Sequence, residues 1–208
     1  MEINNAIMSL QSGKAPGPDG FPTDFYKKFK DKLAPLLLSV YAEALENNIL
    51  PPTLRQASIT LLLKKNKDPR DCSSYRPINL TNCDGKVFSK VIALRLETIL
   101  PHIISGDQTG FVQGRQSYFN LRRLFNIIYT ESNTPSPEAV ISLDAEKAFD
   151  RVEWNYLFYT LSRFGFGPSF IQLIKLIYTD PTASVYTNGI SSEYFPLHRG
   201  TKQGKGIQ

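Results

Sequence analysis

An apolar run that closes on a carboxylate leaves few folds open to this chain. Ala139-Val140-Ile141-Ser142-Leu143 is followed directly by Asp144, and then by Ala145-Glu146-Lys147-Ala148-Phe149-Asp150. A short run of that character reads as a buried strand, which puts a sheet in the fold. The carboxylate then stands at the rim of that sheet, anchored by packing but open to ligand, a placement suited to a hard divalent cation. The competing reading makes Asp144 the cap of a following helix. Spacing leaves the two open. Glu146 and Asp150 read as solvated or structural carboxylates.

The rest of the chain supplies mostly helices. Ile3, Ala6, Ile7 and Leu10 predict a short helix over residues 2–12. Two prolines and three glycines between Ser12 and Gly20 predict a stiff irregular turn. Helical spacing resumes from Thr23 to Asn47, with a break expected between Asp31 and Pro35 because Pro35 has no amide to donate. Ala57 to Leu63 reads as a strand, and Tyr75 to Leu80 as extended chain, since the residue before a proline avoids the helical region. Residues 85–99 form an amphipathic helix that Pro101 is expected to stop. Glycines punctuate a loop over 107–115, a helix follows over 117–130, and Ser132 to Pro137 is a turn-rich connector. Beyond Asp144 come helices near 153–164 and 168–179 and strands near 183–187 and 193–198. The order is irregular, which makes the class α+β rather than a clean βαβ alternation.

Composition narrows the partners. The chain has 208 residues, enough for one domain or two small ones, and is 41% hydrophobic and 21% charged, as a protein with a real core should be. A net charge of +5 leans toward polyanionic partners. Cys72 and Cys83 are too few and too far apart for a zinc cluster or a disulfide framework, which fits a reduced compartment. The first residues lack the basic and apolar regions of a secretory signal, and no apolar stretch reaches membrane-spanning length. The expectation is an intracellular protein, nuclear or cytoplasmic, not secreted and with no membrane partner.

Other candidate groups are weaker. Lys64, Lys65, Lys67, Arg70 and Arg76 surround the loop after the first strand and suit phosphate, although a solvated loop carries the same residues. Arg76 stands out, wedged between Tyr75 and Pro77 in an apolar segment where a guanidinium needs a partner. Arg199-Gly200-Thr201-Lys202-Gln203-Gly204 offers two glycines that allow backbone to approach a ligand. Gly13-Lys14 lacks the preceding glycine and following hydroxyl of a phosphate loop. His102 and His198 stand alone.

Five segments taken together carry a resemblance. Gly13-Lys14-Ala15-Pro16-Gly17-Pro18-Asp19-Gly20, Ser74-Tyr75-Arg76-Pro77-Ile78-Asn79-Leu80, Asp107-Gln108-Thr109-Gly110-Phe111, Leu143-Asp144 through Arg151-Val152, and Arg199 to Gly204 follow one another in family order. The chain closely resembles the reverse transcriptase of LINE-type retrotransposons, which lack long terminal repeats. The resemblance implies a right-hand polymerase fold, with residues 1–138 as fingers, 139–208 as an incomplete palm, and no thumb. It implies that Asp144 is a catalytic metal ligand, that the Ala145 carbonyl also touches metal, and that Mg²⁺ is the cofactor. Lys64 and Arg76 would hold the triphosphate. Phe149 would be the steric gate under the nucleotide sugar, and Gln203 and Gly204 would support the nucleotide and its template base. The implied partners are an RNA template, a DNA primer and deoxynucleoside triphosphates.

The family carries an aromatic-x-Asp-Asp hairpin after its Gln-Gly motif, whereas here Lys205-Gly206-Ile207-Gln208 follows. The expectations are a reverse transcriptase domain truncated before that hairpin, inactive alone, and a palm sheet with an exposed apolar edge. A non-catalytic RNA- or DNA-binding module and a non-functional relic are the alternatives.

Overall fold

A computed structural model describes residues 2–130 and 139–201 of the chain. Its core forms where four helices bring their apolar stripes together. Helix α1 (Glu2–Ser9) buries Ile3, Ala6 and Ile7, three positions on one helical face. After α2 (Thr23–Lys28), α3 (Lys30–Glu46) adds Leu37, Tyr41 and Ala44. A single turn, α4 (Pro52–Arg55), precedes β1 (Gln56–Leu63), and β2 (Tyr75–Thr81) leads into α5 (Cys83–Ile103). Val87, Phe88 and Ile92 of α5 meet the same core. So do Ile174 and Leu176 of α8 (Pro168–Tyr178), which follows α6 (Tyr118–Tyr129) and α7 (Trp154–Arg163).

One sheet joins the two ends of the chain. β1 pairs antiparallel with β2, from Ala57 opposite Thr81 to Leu63 opposite Tyr75. On its other side β1 pairs in parallel with β3 (Thr182–Thr187), with Ala57 beside Ala183. β4 (Ile190–Ser191) and β5 (Phe195–Pro196) both pair antiparallel with β3. Asn188 and Gly189 link β3 to β4 with φ of 51° and 78°, the left-handed pair that a tight hairpin needs. Pro77 is tolerated because β2 is an edge strand, where a missing donor faces outward.

A buried asparagine locks the irregular turn to this frame. Asn82, 4% exposed, donates from Nδ2 to the Thr53 carbonyl at 3.0 Å and accepts the Asp19 amide at 3.2 Å. Gly17 packs so tightly there that a Cβ would lie 2.3 Å from Asn82 Oδ1 and 2.4 Å from its amide nitrogen.

Three expectations need correction. The break in the second helical region falls at Phe29 (φ −109°, ψ 19°), not between Asp31 and Pro35. Restarting at Lys30 puts exposed Pro35 inside α3, where its missing amide leaves only the exposed Asp31 carbonyl to water. Pro101 does not stop α5, which runs on to Ile103. The proline sits in the last turn, where a single lost bond is cheap. The third correction concerns residues 139–144, which form no strand, with Ile141 77% and Leu143 90% exposed. A strand needs an edge to pair with. Here β3 is already flanked on both sides, β2 carries Pro77, and β4 and β5 are two residues each. The apolar exposure is therefore not a sheet edge. It lies on the 139–143 run and on α6, which has no buried residue.

Two variants test this frame. Gly17→Ala should lose about 1–3 kcal/mol in denaturant unfolding by forcing Asn82 aside, whereas Gly106→Ala, with open space around it, should be near neutral. Burial pushes the Asp84 carboxyl above its ordinary range, with the Gly85 amide opposing the shift and Asp19 adding to it. A carboxyl raised in the fold binds protons that the unfolded chain has released, so its contribution falls as pH rises through that window. Asp84→Asn should therefore raise the melting temperature more near neutral pH than in acid. An equal gain at both ends would contradict the burial argument.

Candidate functional site

The hairpin of β1 and β2 sets the first pair of candidate residues. Arg76 lies opposite Leu62 in the register, and Lys64 is two residues beyond Leu62. Alternation along a strand puts both on one face at the mouth of the hairpin. Lys64 is half-buried, its amide donating to the Ser74 carbonyl at 2.8 Å and its Nζ to the Ser73 carbonyl at 2.7 Å. Asp71 closes the intervening loop by accepting the Ser73 amide at 2.8 Å and hydroxyl at 2.6 Å. Arg76 is exposed and makes no hydrogen bond or ion pair to a described residue. The partner that its apolar surroundings call for is absent from the described residues, which leaves its donor fork available to an anion.

Asp144 and Ala145 lie in exposed, irregular chain. Neither the Asp144 carboxylate nor the Ala145 carbonyl is engaged by a described residue. A tight turn follows, in which the Asp150 and Arg151 amides both donate to the Lys147 carbonyl, at 3.0 and 3.2 Å. Lys147 takes φ of 52°, and Glu146 pairs with Arg151 at 3.0 Å. Asp144, Glu146 and Asp150, close in sequence, do not converge: among the described residues no group of three or more acidic, histidine or cysteine side chains is placed to hold a metal ion. What is present is one open carboxylate beside one open carbonyl. That set fits a magnesium ion, which takes one or two carboxylates and completes its shell with substrate oxygens and water.

The turn is tied to a segment distant in sequence. The Thr201 amide donates to the Phe149 carbonyl at 2.8 Å, and the Gly200 amide to the Val152 carbonyl at 2.8 Å. Trp154 donates from its indole nitrogen to the Gly200 carbonyl at 2.8 Å. Gly200 has φ of 89°, and a Cβ there would sit 3.2 Å from the Asp150 carbonyl oxygen. Glycine is required on both counts. Two of the singled-out segments, 143–152 and 199–204, are thus brought together by backbone bonds. Gln203 and Gly204 themselves lie outside the described residues.

Phe149 is 48% exposed, and the edge of its ring pair is Phe111, with centroids 6.2 Å apart and planes at 85°. This attaches a third segment, 107–115, to the same place. Its anchor is Arg115, which the sequence reading passed over. The guanidinium donates to the carbonyls of Pro101 at 3.0 Å, Ile104 at 2.8 Å and Gln108 at 2.8 Å, and also to that of Ser105. A cation over the C-terminal carbonyls of α5 opposes the negative end of the helix. An arginine shortly past a helix end hinted at this, but its four acceptors come from two turns of chain that only the fold assembles. Two grooves of about 620 and 350 Å³ flank α1, lined in part by Glu2 and Arg95 and by Asn4 and Asp31, and neither reaches these residues.

Comparison with known proteins gives a consistent result. A family model described as reverse transcriptase (RNA-dependent DNA polymerase) matches residues 63–207. The chain is 35% identical over 203 residues to the transposon TX1 uncharacterized 149 kDa protein of Xenopus laevis, covering 98% of this chain and 15% of that protein. It is 29% identical over 205 residues to the RNA-directed DNA polymerase from mobile element jockey of Drosophila melanogaster, covering 98% and 22%. It is 25% identical over 191 residues to the retrovirus-related Pol polyprotein from type-1 retrotransposable element R1 of Bradysia coprophila, covering 88% and 19%. The chain thus spans less than a quarter of the length of each of these relatives.

Trp154→Phe isolates the tie between the two segments, because it keeps the ring and removes the donor. The loss of about 1 kcal/mol should speed amide exchange at Gly200 and Thr201 about fivefold and leave α1 and α5 unchanged. Unaltered exchange at those two amides would mean that the indole does not hold the turn.

Proposed function

We propose, from the premise that the chain belongs to the reverse transcriptase (RNA-dependent DNA polymerase) family, that it forms the fingers and the opening of the palm of a retrotransposon RNA-directed DNA polymerase. In this reading residues 1–138 are fingers and 139–208 begin the palm. The observation that carries it is the pair of backbone bonds from Gly200 and Thr201 to Val152 and Phe149. They put the segment leading to Gln203 and Gly204 against the turn that follows Asp144, as one nucleotide site requires. RNA template, DNA primer and deoxynucleoside triphosphates are the substrates of the reading, and an intracellular location, nuclear or cytoplasmic, goes with it.

Each residue then has a chemical task. The Asp144 carboxylate and the Ala145 carbonyl hold a divalent cation, which when bound lowers the pKa of a hydroxyl nucleophile and neutralises charge on phosphate oxygens. Arg76, with its free fork, and Lys64, steadied by Ser73, meet the triphosphate, where negative charge grows as the bond to the leaving phosphate breaks. Phe149 stands under the sugar, and its ring collides with a 2′-hydroxyl. Phe111 braces that ring from its edge. Two-metal transfer needs ions about 3.5–4 Å apart, and one aspartate cannot fix both. The second carboxylate pair must therefore come from polypeptide outside the 208 residues.

The test is primer extension on an RNA template with magnesium. The 208-residue chain alone should incorporate no more than its Asp144→Ala variant. Joined to the carboxylate hairpin and thumb of a relative, it should extend, Asp144→Ala should abolish extension, and Phe149→Val should relax rejection of ribonucleotides. Salt-sensitive RNA binding without Asp144-dependent extension in the joined protein would replace this reading with that of a binding module.

A further inference from the structure

A second surface, away from the site above, combines exposed rings with positive charge. Phe21, Phe25 and Phe29 follow one another at four-residue spacing along α2 and its flanks, which puts them on one face. The Phe21 and Phe25 centroids are 4.8 Å apart and those of Phe25 and Phe29 are 5.0 Å apart. Phe25 roots this ladder by packing against the core, while Phe21 and Phe29 are 47% and 38% exposed. The Asn82 junction holds the preceding loop, so the rings stand on a fixed base.

The charges around the ladder are unevenly engaged. Asp24 accepts the Gly13 amide at 3.3 Å, Asp19 accepts the Phe21 amide at 3.1 Å, and Asp31 pairs with Lys30 at 3.7 Å. Lys27 donates to the Ser12 hydroxyl at 2.9 Å. Lys14 and Lys32 are exposed and make no hydrogen bond or ion pair to a described residue. Lys32 is one turn past Phe29, its amide donating to the Phe29 carbonyl at 3.0 Å. Lys28 lies 5.9 Å from the Phe29 ring centre. The carboxylates are thus satisfied locally, while the ammonium groups face outward beside two open rings.

We propose that Phe21 and Phe29, with Lys14, Lys28 and Lys32, form a docking track for single-stranded nucleic acid that is separate from the hairpin bearing Lys64 and Arg76. Unpaired bases stack on the two outer rings, and the backbone phosphates meet the lysines. A duplex has its bases already stacked on one another and offers no free face to the rings. This inference goes beyond the polymerase reading and stands whether or not the chain takes part in synthesis.

Fluorescence anisotropy of the full chain with a labelled oligouridylate of about 20 nucleotides, and with an RNA duplex of the same length, tests it. The double change Phe21→Ala and Phe29→Ala should weaken single-strand binding on the order of tenfold and leave duplex binding unchanged. Tyrosine at both positions should restore the affinity. Lys14→Gln with Lys32→Gln should reduce the salt slope of single-strand binding by about 1.4, at about 0.7 per lost phosphate contact. These effects should persist in a Lys64→Ala, Arg76→Ala background. Equal losses for strand and duplex, an unaltered affinity in the alanine pair, or competition by polyglutamate as strong as by RNA would overturn the proposal. If the alanine pair fails to fold, an unchanged salt slope in the glutamine pair does the same. Losses confined to the Lys64 and Arg76 variant would also sink it, while sparing the polymerase reading.

Discussion

The junction at Asn82 is the constraint on which the rest of the structure depends. A buried amide side chain must find partners, or it costs free energy comparable to a lost hydrogen bond. Asn82 finds them in the Thr53 carbonyl and the Asp19 amide, one from the turn before β1 and one from the loop before α2. Gly17 has no side chain to hold these groups apart. The single residue therefore gathers the loop, the turn and the start of α5. Tyr41 reinforces it by donating to the Asp84 carbonyl at 2.7 Å. From α5 the order passes to the core and, through β2, to the hairpin that carries Lys64 and Arg76.

A second constraint works at the other end. β1 lies between β2 and β3, so the strand that begins the hairpin also receives the strand that follows α8. Parallel pairing of β1 and β3 needs a long crossover, and the intervening helices provide it. The segment after β5 then returns through Gly200 to the turn around Phe149. Arg115, by closing the end of α5, sets Phe111 against the same ring. The candidate site is thus made of loops, each held by a neighbouring regular element. That arrangement is common where function sits, because loops can present groups that a scaffold has positioned. The price is visible in the apolar surface of α6 and the 139–143 run, which no described element covers.

Much of the fold was legible from spacing alone. α1, α5, α7 and α8 follow their apolar periodicity, and β1 and β2 follow theirs. The misplaced features share a cause. Pro35 and Pro101 read locally as helix breakers, yet both sit where a missing amide leaves one solvated carbonyl, and whether water reaches that carbonyl is a tertiary fact. The Ala139 to Leu143 run reads locally as a strand, but pairing requires an edge and none of adequate length is on offer. The Asn188-Gly189 hairpin was the opposite case, a signal present in the chain and not taken up. For the site, residue types and order pointed to Asp144, Lys64, Arg76 and Phe149 as one family pattern. Arg115 and Trp154 could not be found that way, since their acceptors are backbone carbonyls that carry no sequence label.

By itself the sequence determined the family, the helical stripes, the two long strands and which side chains bear the chemistry, because each of these depends on neighbours a few residues apart or on a pattern kept in order along the chain. Only the tertiary structure decided that Gly200 closes on the Phe149 turn, that Asn82 binds three segments into one corner, and that Asp144 stands in open chain rather than at the end of a strand. Those outcomes depend on which backbone groups are left unpaired once everything else has packed, a quantity that no stretch of residues carries on its own.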